Sequence, residues 1–343
     1  MAPSRAVPST AAADIAVLGA GSWGTALAIQ CARAGRRTRL WGRDAAHVAT
    51  LARERRNQRY LGQAEFPASL TPVASLTEAL DGVADALVAV PSDGFRALLI
   101  EMRPLLALPA RLCWATKGFE QGSGKLPNEV AREVFGAGRS VAVLSGPTFA
   151  REVGAGLPTA MTIASTELEY AERLARDLST PTFRAYISGD ITGVEVGGAV
   201  KNVFAIGAGL CDGLGFGANT RVALITRGLL EMMRLGVALG AQRETFMGLA
   251  GLGDLVLTCT DDHSRNRRFG LALARGMSVD AALSEIGQVV EGYYAARALR
   301  GVAERQGVAM PISEGIYGVL YEQLAAEELV RGMMTRPIKL EFD

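Results

Sequence analysis

The stretch Gly19-Ala20-Gly21-Ser22-Trp23-Gly24 restricts the fold more than any other part of the chain. It follows the short apolar run "IAVL", opens "TALAIQCARAG", and is succeeded by a second apolar run, "RTRLWG". Glycines in the pattern G-x-G-x-x-G permit a tight turn and close approach of backbone to a ligand. A helix beginning there offers unpaired amides and a positive dipole end to a pyrophosphate. Six letters alone are a weak signal, because glycine-rich turns are common. Here the strand before, a helix ended by Gly35 and the returning strand complete a βαβ unit, and such units build parallel sheets. Gly19, Gly21, Ser22, Trp23 and Gly24 are therefore candidate cofactor contacts.

Further strand ends belong to the same sheet. "DALVAVPS" stops at Pro91-Ser92, "RLCWATKG" at Lys117-Gly118, and "VAVLSGPT" at Gly146-Pro147-Thr148. In an open α/β sheet, ligands bind beyond the carboxyl ends of the strands, so these turns should line one crevice with the glycine loop. Lys117 then stands at the mouth of a cofactor site. The second strand ends in "LWGRD", where a ribose-binding carboxylate is usual. Arg43 favours a 2′-phosphate and hence NADP(H), while Asp44, one position late, keeps NAD(H) open. "PTAMTIAST" and "TFRAYISGD" read as late strands.

After about Asp190 the β-like runs cease, and "RVALITRGLLEMMRLGVALG", "SVDAALSEIG" and "YYAARALRGVAERQG" carry helical apolar spacing. The expected fold class is an α/β N-terminal Rossmann-like domain with an extended, mostly parallel sheet, followed by an all-α C-terminal domain. The expected division is a loose tail at 1–13, a dinucleotide-binding domain at 14–190 and a helical substrate-binding domain at 191–343.

Within "EVGGAVKNVFAIGAGLCDG", Lys201 is a single ammonium in a run of glycine, alanine and apolar residues. At helical spacing Val194, Gly197, Lys201, Ala205 and Ala208 share a face. An ordinary lysine there would lay its stem on the core and keep its head in water. The alternative is a dehydrated lysine whose pKa is lowered for proton transfer. Three other clusters carry chemistry: Asp254 in "GLAGLGDLVLTCT", Ser264-Arg265-Asn266 in "HSRNRRFG", and Glu291 in "VVEGYY". Asp254, among apolar residues, needs a partner, and a lysine would serve. Arg267 and Arg268 read as solvated.

The 343-residue chain has a net charge of +1 and is 49% apolar, so nothing in its balance selects nucleic acid or an anionic membrane surface. Cys31, Cys113, Cys211 and Cys259 are widely spaced in apolar segments, without metal-ligand or redox spacing. They read as buried thiols in a reducing compartment, and no metal is expected. The stretch Ile15 to Ala32 is uncharged but divides into a strand and a helix, so no transmembrane segment is expected.

In order and spacing, "GAGSWGTALA", "ATKGFE", "SGPTFA", "VEVGGAVKNVFAIGAG", "GLGDLVLTC", "SRNRR" and "VVEG" resemble bacterial NAD(P)-dependent glycerol-3-phosphate dehydrogenases, over nearly all of the chain from Ile15. The resemblance implies reversible reduction of dihydroxyacetone phosphate to sn-glycerol 3-phosphate, the glycerophospholipid precursor, by a cytoplasmic homodimer. It makes Lys201 the proton donor and acceptor, with Lys117 and Asp254 beside it in the catalytic group. It assigns cofactor contacts to Ser22, Trp23, Arg43, Lys117, Ala150, Arg265, Val289 and Glu291. It assigns substrate contacts to Lys117, Gly146, Thr148, Lys201, Asp254, Ser264, Arg265 and Asn266. Relatives often have histidine at the position of Arg43, which leaves the choice between NADP(H) and NAD(H) open.

With only His47 and His263 available, a histidine–aspartate proton relay has little support, and the lysine reading of Lys201 gains. Two alternatives compete. A lysine-dependent β-hydroxyacid dehydrogenase shares the glycine-rich Lys-Asn helix, but "SRNRR" with "SGPT" suits a terminal phosphate better. A nucleotide-sensing regulator without turnover leaves Lys201, Asp254 and Asn266 unexplained together.

Overall fold

The computed structural model describes residues 15–334. The expectation of a tail at 1–13 lies outside the described residues. The first half runs β1 (Ile15–Leu18), α1 (Ser22–Arg33), β2 (Thr38–Trp41), α2 (Ala45–Glu54), α3 (Gln58–Leu61), β3 (Leu70–Val73), α4 (Leu76–Leu80) and β4 (Asp85–Val88). It continues through α5 (Ser92–Met102), β5 (Arg111–Trp114), α6 (Pro127–Phe135), β6 (Val141–Ser145), α7 (Ala150–Ala155), β7 (Thr159–Ala164), α8 (Leu168–Leu178) and β8 (Phe183–Ser188). The strands form one sheet in the order β3-β2-β1-β4-β5-β6-β7-β8, and only the β6–β7 pair is antiparallel.

The central strands read as continuous apolar runs because helices cover both faces; β1 is buried at every position. The sequence reading missed β3, whose "LTPV" contains a proline. Pro72 is tolerated because β3 is an edge strand. Helix α1 begins at Ser22, three residues before the expected start, so Ser22, Trp23 and Gly24 form its first turn rather than a loop.

Beyond β8 the described chain is helical: α9 (Ile191–Gly213), α10 (Ala218–Ala238), a π-helical turn over Leu249–Gly253, α11 (Asp254–Thr260), α12 (Arg265–Ala274), α13 (Val279–Ile286), α14 (Glu291–Gln306), α15 (Pro311–Tyr321) and α16 (Ala326–Met334). Asp190 caps α9 by accepting from the Gly193 amide at 2.8 Å. Helix α9 is long and apolar enough to cross a membrane, but that apolar stretch is wholly buried inside the protein. It is the axle of the second half, with α10, α11, α12 and α14 packed around it. Its glycines make this possible: Gly209 and Gly270 bring α9 and α12 so close that a Cβ at either would meet the other helix's backbone at 2.1 Å. All four cysteines are free and buried.

Candidate active site

Between the carboxyl ends of the strands and the helical half lies a cleft of about 350 Å³. At its floor Asp254 is 1% exposed and shared by two ammonium groups. Lys201 Nζ donates to Asp254 Oδ1 at 2.5 Å, and Lys117 Nζ donates to Asp254 Oδ2 at 2.8 Å. Lys201 also donates to Thr258 Oγ1 at 3.0 Å, while Thr258 donates to the Asp254 carbonyl at 2.5 Å. Two of the three N–H bonds of Lys201 are thus committed, and the third remains for the cleft that the side chain lines. Lys201 is 7% exposed, so it does not snorkel.

Burial lowers the Lys201 pKa to about 8 against the opposing pull of Asp254, with Lys117 adding to the fall. Burial alone would raise Asp254, but Lys117 and Lys201 override it and hold the carboxyl below its usual range. The result is a fixed carboxylate beside an amine that can hold or release a proton near neutral pH. Asp254 is delivered by the π-helical turn that precedes it, a feature common at functional sites.

The glycine loop stands at the rim. Gly24 packs on the turn itself, since a Cβ there would lie 1.9 Å from the Gly19 carbonyl. Gly21 is different, because a Cβ would meet no protein atom within 4 Å. Its bareness faces open space, as a bound pyrophosphate would require. The first intrahelical bond of α1 runs from Thr25 N to Gly21 O, leaving the amides of Ser22, Trp23 and Gly24 without helical partners. No acidic residue occupies that first turn, and Trp23 Nε1 is buried without a protein partner. These groups fit an anionic dinucleotide.

Of the residues singled out in the sequence, the cleft brings together Ser22, Trp23, Lys117, Thr148, Ala150, Lys201, Asp254, Ser264, Arg265, Asn266 and Glu291. Gly19, Gly21, Gly24, Gly146, Arg43 and Val289 are not in its lining. Gly146 answers to packing on β7, where a Cβ would come within 2.9 Å of Met161 Cα. Arg43 is exposed beyond β2, and Asp44 caps α2 through the Ala46 and His47 amides. Val289 is exposed. Asn266 has both ends of its amide engaged: it donates to Asn202 Oδ1 at 2.9 Å and accepts from the Gly292 amide at 2.8 Å. Asn202 in turn donates to Glu291 Oε2 at 3.0 Å, so one relay joins α9, α12 and α14 beside Lys201.

One expectation fails. Arg267 is not solvated: it is buried and paired with Asp212 at 2.7 Å and with Asp262. The partner from α9 is 55 residues away in sequence, which no local pattern reveals. Arg268 is exposed as expected. Sequence reasoning also missed Thr258, one helical turn after Asp254, and His263, whose ring lies 5.5 Å from that of Phe149 across the cleft mouth. It missed Glu195 as well, whose pKa burial raises to about 8 although Asn128 and Trp114 donate to it. Among the described residues, no group of three or more His, Cys, Asp or Glu side chains is placed to hold a metal.

A doubly wound sheet whose glycine turn faces a lysine–carboxylate–lysine cluster defines a dinucleotide-linked dehydrogenase. Comparison with known proteins narrows the class. Family models described as NAD-dependent glycerol-3-phosphate dehydrogenase N-terminus and C-terminus match residues 14–171 and 190–331. The glycerol-3-phosphate dehydrogenase [NAD(P)+] of Nitrosococcus oceani is 56% identical over 95% of both chains. That of Photobacterium profundum is 54% identical over 96% of this chain and 98% of its own. The crystal structure of glycerol-3-phosphate dehydrogenase from Coxiella burnetii superposes with a TM-score of 0.91 at 44% identity, covering 95% of this chain and 99% of that one. The chain belongs to the NAD-dependent glycerol-3-phosphate dehydrogenase family, and it is an NAD(P)-dependent oxidoreductase.

Proposed function

We propose that the protein reduces dihydroxyacetone phosphate to sn-glycerol 3-phosphate, reversibly, with Lys201 as the proton donor and acceptor. The observation that carries the reading is the buried triad of Lys201, Asp254 and Lys117 on the floor of the cleft. The first turn of α1, Ser22 to Gly24 with Gly21 as its N-cap, would hold the dinucleotide, whose reduced nicotinamide supplies the hydride when bound. As negative charge develops on the carbonyl oxygen, Lys201 stabilises it and delivers a proton. Asp254 keeps the amine fixed, and Lys117 adds a second cation at the same wall. In the reverse direction the neutral amine accepts the proton from the alcohol.

The substrate phosphate is assigned to Arg265, with the Ser264 hydroxyl and Asn266 beside it. Arg265 is half-buried, and among the described residues its one hydrogen bond is a 3.5 Å contact to Gln288, so its guanidinium is available for a bidentate anion contact. Because the phosphate does not react, its binding serves to place the carbonyl against Lys201. Purified protein should oxidise NADPH or NADH only when dihydroxyacetone phosphate is added; turnover of β-hydroxyacids instead would overturn the assignment. Arg265→Ala should lower kcat/KM for dihydroxyacetone phosphate about ten- to hundredfold more than for unphosphorylated dihydroxyacetone, the worth of a charge-assisted bond. Equal losses would show that Arg265 does not read the phosphate.

For cofactor preference, the exposed Arg43 at the end of β2 supports pairing with a 2′-phosphate. Arg43→Ala should then weaken NADPH about tenfold and leave NADH unchanged, as measured by fluorescence titration. The four free, buried thiols suit a reducing, cytoplasmic setting, where the product would feed glycerophospholipid synthesis. A homodimer is the proposed state, tested by sedimentation.

A further inference from the structure

Glu195 is a carboxyl group in a place that discourages one. It lies on α9, is 4% exposed, and packs between the end of β5 and the start of α6. Its Oε1 accepts from Trp114 Nε1 at 2.8 Å and from the Asn128 amide N–H at 2.9 Å, and its Oε2 pairs with the Asn128 side-chain amide. A buried acid is costly unless its bonds are made, and here all three bonds run from the helical half to the sheet-bearing half, one to β5 and two to α6.

The Trp114 bond joins the two backbone segments that immediately precede the two lysines, and the Asn128 bonds tie the same stretch of α9 to α6. Trp114 closes β5 three residues before Lys117, and Glu195 lies six residues, about 9 Å of helix, before Lys201. Between them the contact is tight. Gly198 presents bare backbone to the Lys117 stem, where a Cβ would lie 3.4 Å from Lys117 Cγ and 3.2 Å from Ser145 Oγ. Asp254 has one oxygen on each lysine, so sliding α9 along β5 would break one of the two pairs.

We propose that Glu195 is a positioning residue for the reaction: acting through Trp114 and Asn128, it sets the register of α9 against β5 and so the separation at which Lys201 and Lys117 share Asp254. The proposal rests on the dehydrogenase reading above. Wild-type turnover of dihydroxyacetone phosphate tests that reading, whereas mutant-to-wild-type ratios test this one.

The experiment compares Glu195→Met, Glu195→Gln and Trp114→Phe in the full chain. Methionine has similar length but no acceptor. Glutamine keeps an acceptor for Trp114 and for the Asn128 N–H, and the Asn128 amide can turn over to meet the new NH2. Small misplacements of catalytic groups cost up to about a hundredfold, so Glu195→Met should lower kcat about ten- to hundredfold. NADPH affinity and KM should stay near wild type. Trp114→Phe should show a smaller loss of the same kind, Glu195→Gln should retain most of kcat, and Trp114→Phe/Glu195→Met should be no slower than Glu195→Met alone. A lower Tm with wild-type kcat in Glu195→Met would reduce Glu195 to a fold anchor and overturn the proposal. Loss in Glu195→Gln equal to that in Glu195→Met would overturn it too, as would additive losses in the double variant. If Glu195→Met does not fold, Trp114→Phe decides alone, and an unchanged kcat there sinks the idea.

Discussion

Opposite edges of the same sheet each hold a fully buried aspartate surrounded by cations, and the two do different work. At the amino edge, Asp85 opens β4 and is 0% exposed. Arg36 reaches it at 2.7 Å, while Arg111 and Arg173 each reach it at 3.0 Å. At the carboxyl edge, Asp254 meets Lys201 and Lys117. Guanidinium groups stay charged at any physiological pH, present rigid donor forks and fasten the α1–β2 turn, β4, β5 and α8 together. Ammonium groups lose their charge when dehydrated, and Lys201 has been brought within reach of neutral pH by burial. The same carboxylate is thus a rivet where arginines meet it, and where lysines do it sits beside an amine able to exchange a proton, the role proposed for it above. What separates the two is the titratability of the partner and its access to a cleft.

The contrast can be broken by removing one group from each cluster. Lys201→Met should fold, bind NADPH and lose about 10²–10⁴-fold in kcat, the usual range for a general acid–base. Near-normal kcat would move the proton-transfer role to Lys117. Asp85→Ala should do the reverse. It leaves a buried guanidinium and two partly buried ones without their shared anion, a loss of about 3–5 kcal/mol in stability. The kcat of the molecules that remain folded should be unaltered. Denaturant unfolding with active-site titration separates the two readouts, and a selective loss of kcat would show that the amino edge communicates with the cleft.

A gentler test is pH. Burial depresses Lys201, so its ammonium is lost as pH rises through about 8 rather than through the usual lysine range. In the proposed mechanism reduction needs the proton on Lys201 at the start, so its kcat should fall above about 8, approaching tenfold per pH unit. Oxidation needs the free amine and should rise through the same window. Profiles of the two directions that move together would contradict a single amine serving both.

Much of the site could be read from local pattern. Lys201 stood out as one charge in an apolar, glycine-rich helix, and Asp254 as a carboxylate in need of a cation. The pairing partners could not be read so far. Lys117 meets Asp254 across 137 residues, and nothing near either residue in sequence signals the other. Arg267 looked like a solvated arginine until α9 supplied Asp212. Glu195 stood at the head of the very stretch that held Lys201, yet only the approach of Trp114 and Asn128 gives it a role. Strand β3 was hidden because Pro72 contradicts a strand pattern everywhere except at a sheet edge.

The sequence by itself determined the β1–turn–α1 unit. Steric freedom at glycine, the unpaired amides of a first helical turn and the apolar run of a buried strand all act over a few neighbouring residues. It also marked Lys201 as a single ammonium in an apolar, glycine-rich run, because composition and helical spacing are local properties of the chain. Tertiary structure alone decided which cations share Asp254, that Asp85 is enclosed by arginines, and that burial lowers the Lys201 pKa to about 8. Desolvation and Coulomb energy depend on distances in space between groups far apart along the chain, and those distances exist only once the sheet and the helical half have closed on each other.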